Sequence, residues 1–369
     1  MRNRMNVYIT TGKKNLKYAY VAIKSLFINN KNSEIYLYVV SEDLTDADMI
    51  YENELAREYG HRIIILRFDE EYAKKFISYR DGAHWAIGTM SSYWLFHTLL
   101  PDDVDRIIVI ESDTVVIGDL SDIYNTDFEG AYAICPGPEH KPESHRNFMK
   151  SIGGECLTFV LSMYDIEKIR KDFALQDFLD ADAKIKKIAG HSQMEHTFGL
   201  LFKGRIKYIS GRNSCIDENE RYIEELGYDY IVQCEKTAKI IHFSSYSDYN
   251  KPWNPVSIMP GYITWWKYAE GSPYFREYFE EQWKIYEKSR EKIEVIKKNI
   301  SYKNILLCTL GLAAVLSALF MSFIRQSIID GLIILCLFII SFIASLGVRK
   351  LSIVISKAMW LVRTNKNMR

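Results

Sequence analysis

The chain lacks a charge of either sign to spend on a charged partner: 47 Lys and Arg are balanced by 47 Asp and Glu. That balance removes the electrostatic footprint of a nucleic-acid-binding protein, and no nucleic-acid partner is expected. Cysteine is sparse and poorly spaced. The six (Cys135, Cys156, Cys215, Cys234, Cys308 and Cys336) contain no CxxC pair. Neither a thiolate zinc site nor a disulfide framework is indicated, and a reducing compartment fits. No signal peptide is read at the N-terminus, because Met1–Asn6 is polar and Val7 already begins an apolar strand. What remains is a chain of 369 residues, enough for one large domain with an appendage or for two domains.

The stretch that stands out is Arg106–Asp119, RIIVIESDTVVIGD. A buried strand, Ile107–Ile110, runs into the acidic triplet Glu111-Ser112-Asp113, and a second apolar run, Thr114–Ile117, follows. Side chains two apart on extended backbone point the same way, so Glu111 and Asp113 are expected to share a face. They fall at the carboxyl end of a core strand, where open α/β sheets bind ligands. Two carboxylates there suit a hard divalent cation shared with substrate phosphates. Upstream, strands at Asn6–Thr10, Ile35–Val40 and Arg62–Arg67 alternate with helices at Leu16–Phe27, Asp46–Tyr59 and Ser92–Leu99. This alternation predicts a mostly parallel sheet covered on both faces. The loop Thr10–Asn15 then lies at a strand's carboxyl end, a place for a nucleotide.

The blocks NVYITTGKKNLKYAYVAIKSLF, SSYWLFHTLLP and RIIVIESDTVVIGDLSDIY resemble the retaining family 8 glycosyltransferases. Glycogenin and the bacterial lipopolysaccharide galactosyl- and glucosyltransferases are members. The resemblance spans about Asn6–Tyr278 and implies an α/β fold of the GT-A type, a Rossmann-like nucleotide-diphospho-sugar transferase domain over 1–280. It implies a nucleotide-sugar donor, UDP-hexose above all, and Mn2+ (or Mg2+) as cofactor. Glu111-Ser112-Asp113 takes the place of the family's DxD motif, so Glu111 and Asp113 are implied metal ligands and Ser112 a donor contact. IIHFSSYSDYNKPW at Ile240–Trp253 matches the family's His…KPW block, which makes His242 the third metal ligand and Lys251 the contact to the donor diphosphate. Thr10, Thr11 and Asn15 line the nucleotide side, with Tyr18 nearby. Thr158–Arg170 is similar to the family's second core strand and turn, NxGVLLIN…R, and Met194–Tyr208 to DQDxLN…FKGKIKY. Glu195 and His196 there replace a Gln-Asp pair and Gly199 replaces Asn. Both are carried forward as catalytic, acceptor-side candidates. Trp94 takes the place of the family's Arg before the acidic strand, and Asn213 matches a family Asn. No carboxylate stands out as a nucleophile. A front-face substitution, in which the leaving phosphate helps to deprotonate the acceptor, needs none.

The C-terminal end differs in kind. After a charged helical linker at 281–304, Ile305–Ile324 and Gly331–Val348 are two uncharged runs, each long enough to span a bilayer. Basic residues flank the pair on both outer sides, which places both flanks in the cytoplasm. The expectation is a two-helix transmembrane hairpin at 305–348 with a basic amphipathic tail at 349–369. The enzyme is thus read as a multi-pass cell-membrane hexosyltransferase with a cytoplasmic catalytic domain. Its acceptor is a glycan or lipid-linked molecule of envelope polysaccharide synthesis, and an oligomer is compatible with the sequence. The competing expectation is a catalytically degenerate GT-A scaffold or binding subunit. A weaker third is a nucleotidyltransferase, which would not call for the His…KPW block.

Overall fold

The computed structural model describes residues 2–67, 99–190, 194–245, 250–254, 257, 259–288, 290, 291 and 294. Two compact units divide the chain, Met1–Tyr286 and Glu287–Arg369, and the elements below belong to the first. The apolar runs at 305–324 and 331–348, the tail, and nearly all of the helix expected at Ser92–Leu99, with Trp94, lie outside the described residues. Among the described residues no helix is long and apolar enough to cross a membrane.

Four strands build the N-terminal half: β1 (Asn3–Thr10), β2 (Ser33–Ser41), β3 (Arg62–Arg67) and β4 (Arg106–Glu111). They are rich in Val, Ile and Tyr, side chains that favour extended backbone. Neighbours pair in parallel, with Ile9 opposite both Val39 and Ile110. Every side chain of Ile107–Ile110 is fully buried, as a strand covered on both faces requires. The alternation sorts them. Val7, Ile9, Ile108 and Ile110 pack with Ala19, Ile23 and Phe27 of the helix Leu16–Asn29. Tyr8, Ile107 and Val109 pack on the other face with Phe178, Phe198 and Phe202.

Beyond β4 the sheet changes character. Strands β6 (Ala133–Pro136), β7 (Met163–Asp165) and β8 (Ile206–Ile209) complete seven strands in the order β3-β2-β1-β4-β7-β6-β8. β7 runs antiparallel to both β4 and β6, so the sheet is mixed: it is mostly parallel, as expected, with β7 alone running against the other strands. A second sheet of three strands, β5 (Thr114–Val116), β10 (Ile240–His242) and β9 (Cys215–Asp217), stands apart in the order β5-β10-β9.

Several expected boundaries move. The second helix starts at Ile50 rather than Asp46, because the Asp48 carboxylate accepts from the Thr45 N–H and hydroxyl and closes a turn first. In the proline-containing segment 136–144 a helix begins at Glu143, directly after Pro142. Thr158–Ser162 is a turn and not a strand. Leu161 adopts a left-handed φ of 63° there, held by its N–H on the Val109 carbonyl at 2.8 Å. Only Met163–Asp165 of that block is strand.

Candidate active site

Glu111 ends β4, and Ser112-Asp113 make a tight turn into β5 in place of the extended segment expected. This turn is closed by the Thr114 hydroxyl donating to the Glu111 carbonyl at 2.7 Å. The turn still sends Glu111 and Asp113 to one place, and the three-stranded sheet brings the rest. Antiparallel pairing of β5 and β10 sets Thr114 opposite His242, and parallel pairing of β10 and β9 sets His242 opposite Asp217. Two backbone bonds lock this rung: Phe243 N–H to the Asp113 carbonyl at 2.9 Å, and Glu218 N–H to the His242 carbonyl at 2.7 Å.

The side chains converge accordingly. His242 Nε2 lies 2.8 Å from Glu111 Oε2 and 3.5 Å from Asp113 Oδ1, and His242 Nδ1 lies 2.6 Å from Asp217 Oδ1. Lys251 Nζ donates to Asp113 Oδ2 at 2.5 Å and to the Phe243 carbonyl at 2.6 Å. Burial alone would discharge Asp113, Asp217 and His242, but the attraction of their charged neighbours outweighs it. Lys251 and His242 hold the Asp113 carboxyl well below the carboxylate range against its burial. Asp113, Asp217 and Glu111 likewise hold the His242 imidazole protonated against its own. The pocket therefore demands positive charge, which His242 and Lys251 supply from the protein itself.

Glu111, Asp113 and His242 each offer one ligand atom, and the three atoms lie within 4.8 Å of one another. Two carboxylate oxygens and one imidazole nitrogen form a donor set that suits a manganese-like divalent ion. The fit is to the ligand chemistry and spacing.

A second charged group lies beyond the imidazole. Lys141, buried, donates to Asp217 Oδ2 at 2.9 Å and reaches within 3.8 Å of Glu195 Oε1. Glu195 also accepts from the Phe159 N–H at 2.9 Å. Burial pushes the Glu195 carboxyl upward, and Lys141 with His145 more than reverses it. Neither Lys141 nor Asp217 stands out in the sequence. Asp217 ends a short strand whose partner is known only once the register is, and Lys141 sits in a proline-flanked turn.

The remaining candidates fall into two groups. Thr10 pairs with Glu111 at the carboxyl edge of the sheet. Thr11 is buried just beyond it, with its N–H on the Val40 carbonyl at 3.2 Å. Ser112 is half-buried in the acidic turn and Asn15 is exposed at the end of the loop Thr10–Asn15. The Tyr18 ring stacks on Trp253 of the KPW block, centroids 4.0 Å apart. His196 is buried against the Phe148 ring at 4.7 Å and beside His145, on the helix Met194–Leu201. Gly199 on that helix has a packing reason. A Cβ there would meet the Glu155 carbonyl at 2.2 Å, and the Glu155 N–H already bonds the Gly199 carbonyl at 2.8 Å.

Comparison with known proteins gives the family and the fold. The family model "Glycosyl transferase family 8" matches residues 6–256. Among curated relatives, glycosyltransferase GlyF of Streptococcus pneumoniae serotype 4 (strain ATCC BAA-334 / TIGR4) is 21% identical over 253 residues, 67% of this chain and 57% of GlyF. Glycosyltransferase GlyE of the same strain is 23% identical over 319 residues, 79% of this chain and 68% of GlyE. The chain thus spans little more than half of GlyF. Among solved structures, the galactosyltransferase LgtC in complex with donor and acceptor sugar analogues superposes with a TM-score of 0.56 at 16% identity, covering 73% of this chain and 96% of LgtC. The shared architecture is the α/β GT-A-like glycosyltransferase fold, here with a mixed sheet.

Proposed function

Because the chain belongs to glycosyl transferase family 8, we propose that it moves a hexose from a nucleotide diphosphate sugar, a UDP-sugar first among them, to an acceptor hydroxyl with retention of anomeric configuration. The observation that carries this reading is the meeting of Glu111, Asp113 and His242 beside Lys251 at the carboxyl edge of the sheet. Glu111, Asp113 and His242 Nε2 would hold Mn2+ or Mg2+, which supplies charge neutralisation at the donor diphosphate. Lys251 adds a second positive charge and a hydrogen-bond donor on the same side, where negative charge grows as the nucleoside diphosphate departs. Thr10 and Thr11 border the nucleotide. Glu195, held by the Phe159 N–H and near Lys141, faces the acceptor in this reading and orients its hydroxyl.

The acceptor class follows from the C-terminal chemistry. The two uncharged runs at 305–324 and 331–348 read as a membrane hairpin. Upstream of them, the helix over 275–288 leaves Phe275, Phe279, Trp283 and Tyr286 exposed at 39%, 58%, 54% and 49%. Spacings of four, four and three put them on one helical face. Aromatic side chains are favoured at the membrane–water interface, so a catalytic unit seated at the membrane and a lipid-linked or envelope glycan acceptor are consistent.

The test is donor turnover. Purified protein with Mn(II) is offered UDP-hexoses, and release of UDP is followed. Manganese-dependent release that disappears in Asp113→Asn supports the transferase. Wild-type protein that neither binds nucleotide nor releases UDP would leave the degenerate scaffold as the better account.

A further inference from the structure

We propose that Asp217 is a positioning residue of the cation site, fixing the His242 imidazole from behind with Lys141 as its counter-charge, and that the pair ties the cation site to Glu195. The proposal rests on reading Glu111, Asp113 and His242 as cation ligands, and adds to it the part of the site that lies outside the family motifs.

The geometry is specific. Asp217 Oδ1 sits 2.6 Å from His242 Nδ1, so the Nδ1–H is directed at a carboxylate and the Nε2 lone pair is left for a cation. A histidine ligand without such a partner can rotate or present the wrong nitrogen, and partners of this kind raise its basicity. Asp217 has little freedom of its own. It is the residue of β9 paired with His242, and the next residue's N–H bonds the His242 carbonyl. Its second oxygen is taken by Lys141 Nζ at 2.9 Å, with side-chain exposures of 5% for Lys141 and 8% for Asp217.

That burial makes the arrangement informative. A carboxylate removed from water is costly unless paired and hydrogen-bonded, and Asp217 is paired on both oxygens. Lys141 is held in turn: Glu195 lies 3.8 Å away and the Tyr222 ring 5.7 Å away. One continuous polar chain thus runs from Glu195 through Lys141, Asp217 and His242 to Glu111 and Asp113. A cation at His242 Nε2 would leave the Nδ1–H to Asp217 intact.

The experiment is a Mn(II) titration of the full chain, followed by the electron paramagnetic resonance of free Mn(II), with the metal alone as probe. Asp217→Ala should weaken Mn(II) binding by roughly 10- to 100-fold, the range for loss of such a partner. Asp217→Asn keeps the shape and should weaken it in the same direction, which guards against an alanine variant that fails to fold. Lys141→Met should also weaken it, by less. Melting curves select the folded variants. If His242→Ala lowers the affinity while both Asp217 variants match wild type, the positioning role is overturned and the cation-site reading stands. If Lys141→Met alone matches wild type, its counter-charge role is overturned. If His242→Ala matches wild type as well, the cation-site reading itself falls.

Discussion

The two sheets of this protein are built on different principles. The seven-stranded sheet is apolar and local in its logic: Ile107–Ile110 are buried on both faces, and most strands are legible from their own composition. The three-stranded sheet is short and carries the chemistry. Its rungs bring Thr114 beside His242 and Asp217, which lie more than a hundred residues further along the chain. One sheet stabilises the fold and the other positions charge, so damage to each should be distinguishable.

The sharpest way to break that comparison is Asp113→Asn. It removes a charge that both Lys251 and His242 contact, and transfer should fall by on the order of 10³-fold or more, while the variant still melts cooperatively. Ile110→Ala should do the reverse. It empties a fully buried site in the large sheet and should lower unfolding free energy by about 3–4 kcal/mol in urea titration, with Mn(II) affinity of the folded protein unchanged. If Ile110→Ala abolished Mn(II) binding in still-folded protein, the separation of roles would fail.

A third prediction concerns pH. Burial raises the Glu52 carboxyl from 4.5 to about 7, opposed by the hydroxyl of Tyr274, which donates to it at 3.2 Å. The folded state therefore holds a proton that the unfolded state releases near pH 4.5. The contribution is fully present below that pH and is lost as pH rises through about 7, a loss of about 3 kcal/mol at most. Melting temperature measured over this window should fall with rising pH in wild type, and Glu52→Gln should flatten that part of the curve. Equal slopes in both proteins would remove Glu52 as the cause. The smallest effect is expected at His196, packed against Phe148. His196→Gln should change kcat/KM by less than about tenfold, roughly 1.4 kcal/mol, and a thousandfold loss would return it to the catalytic machinery.

How much of this was legible in the sequence follows the same division. The N-terminal strands, the acidic turn after β4 and the His…KPW block are readable because a strand or motif announces itself within a few residues. The sense of β7 was not readable, because its antiparallel pairing depends on the turn at Leu161 rather than on its own three residues. Asp217 and Lys141 were missed for a related reason: a carboxylate at the end of a three-residue strand acquires meaning only from the register that sets it opposite His242. Glu195 and His196 are adjacent in sequence, yet one reaches Lys141 and the other packs on Phe148, a difference that helical direction decides and composition does not.

The central claim is a divalent cation held by Glu111, Asp113 and His242. Anomalous diffraction at the manganese edge, from crystals grown with Mn(II) and a nucleoside diphosphate, tests it most directly. The account predicts a peak bonded to both carboxylates and to His242 Nε2, with His242 Nδ1 still against Asp217. A peak bonded elsewhere, or none at saturating Mn(II), would contradict it.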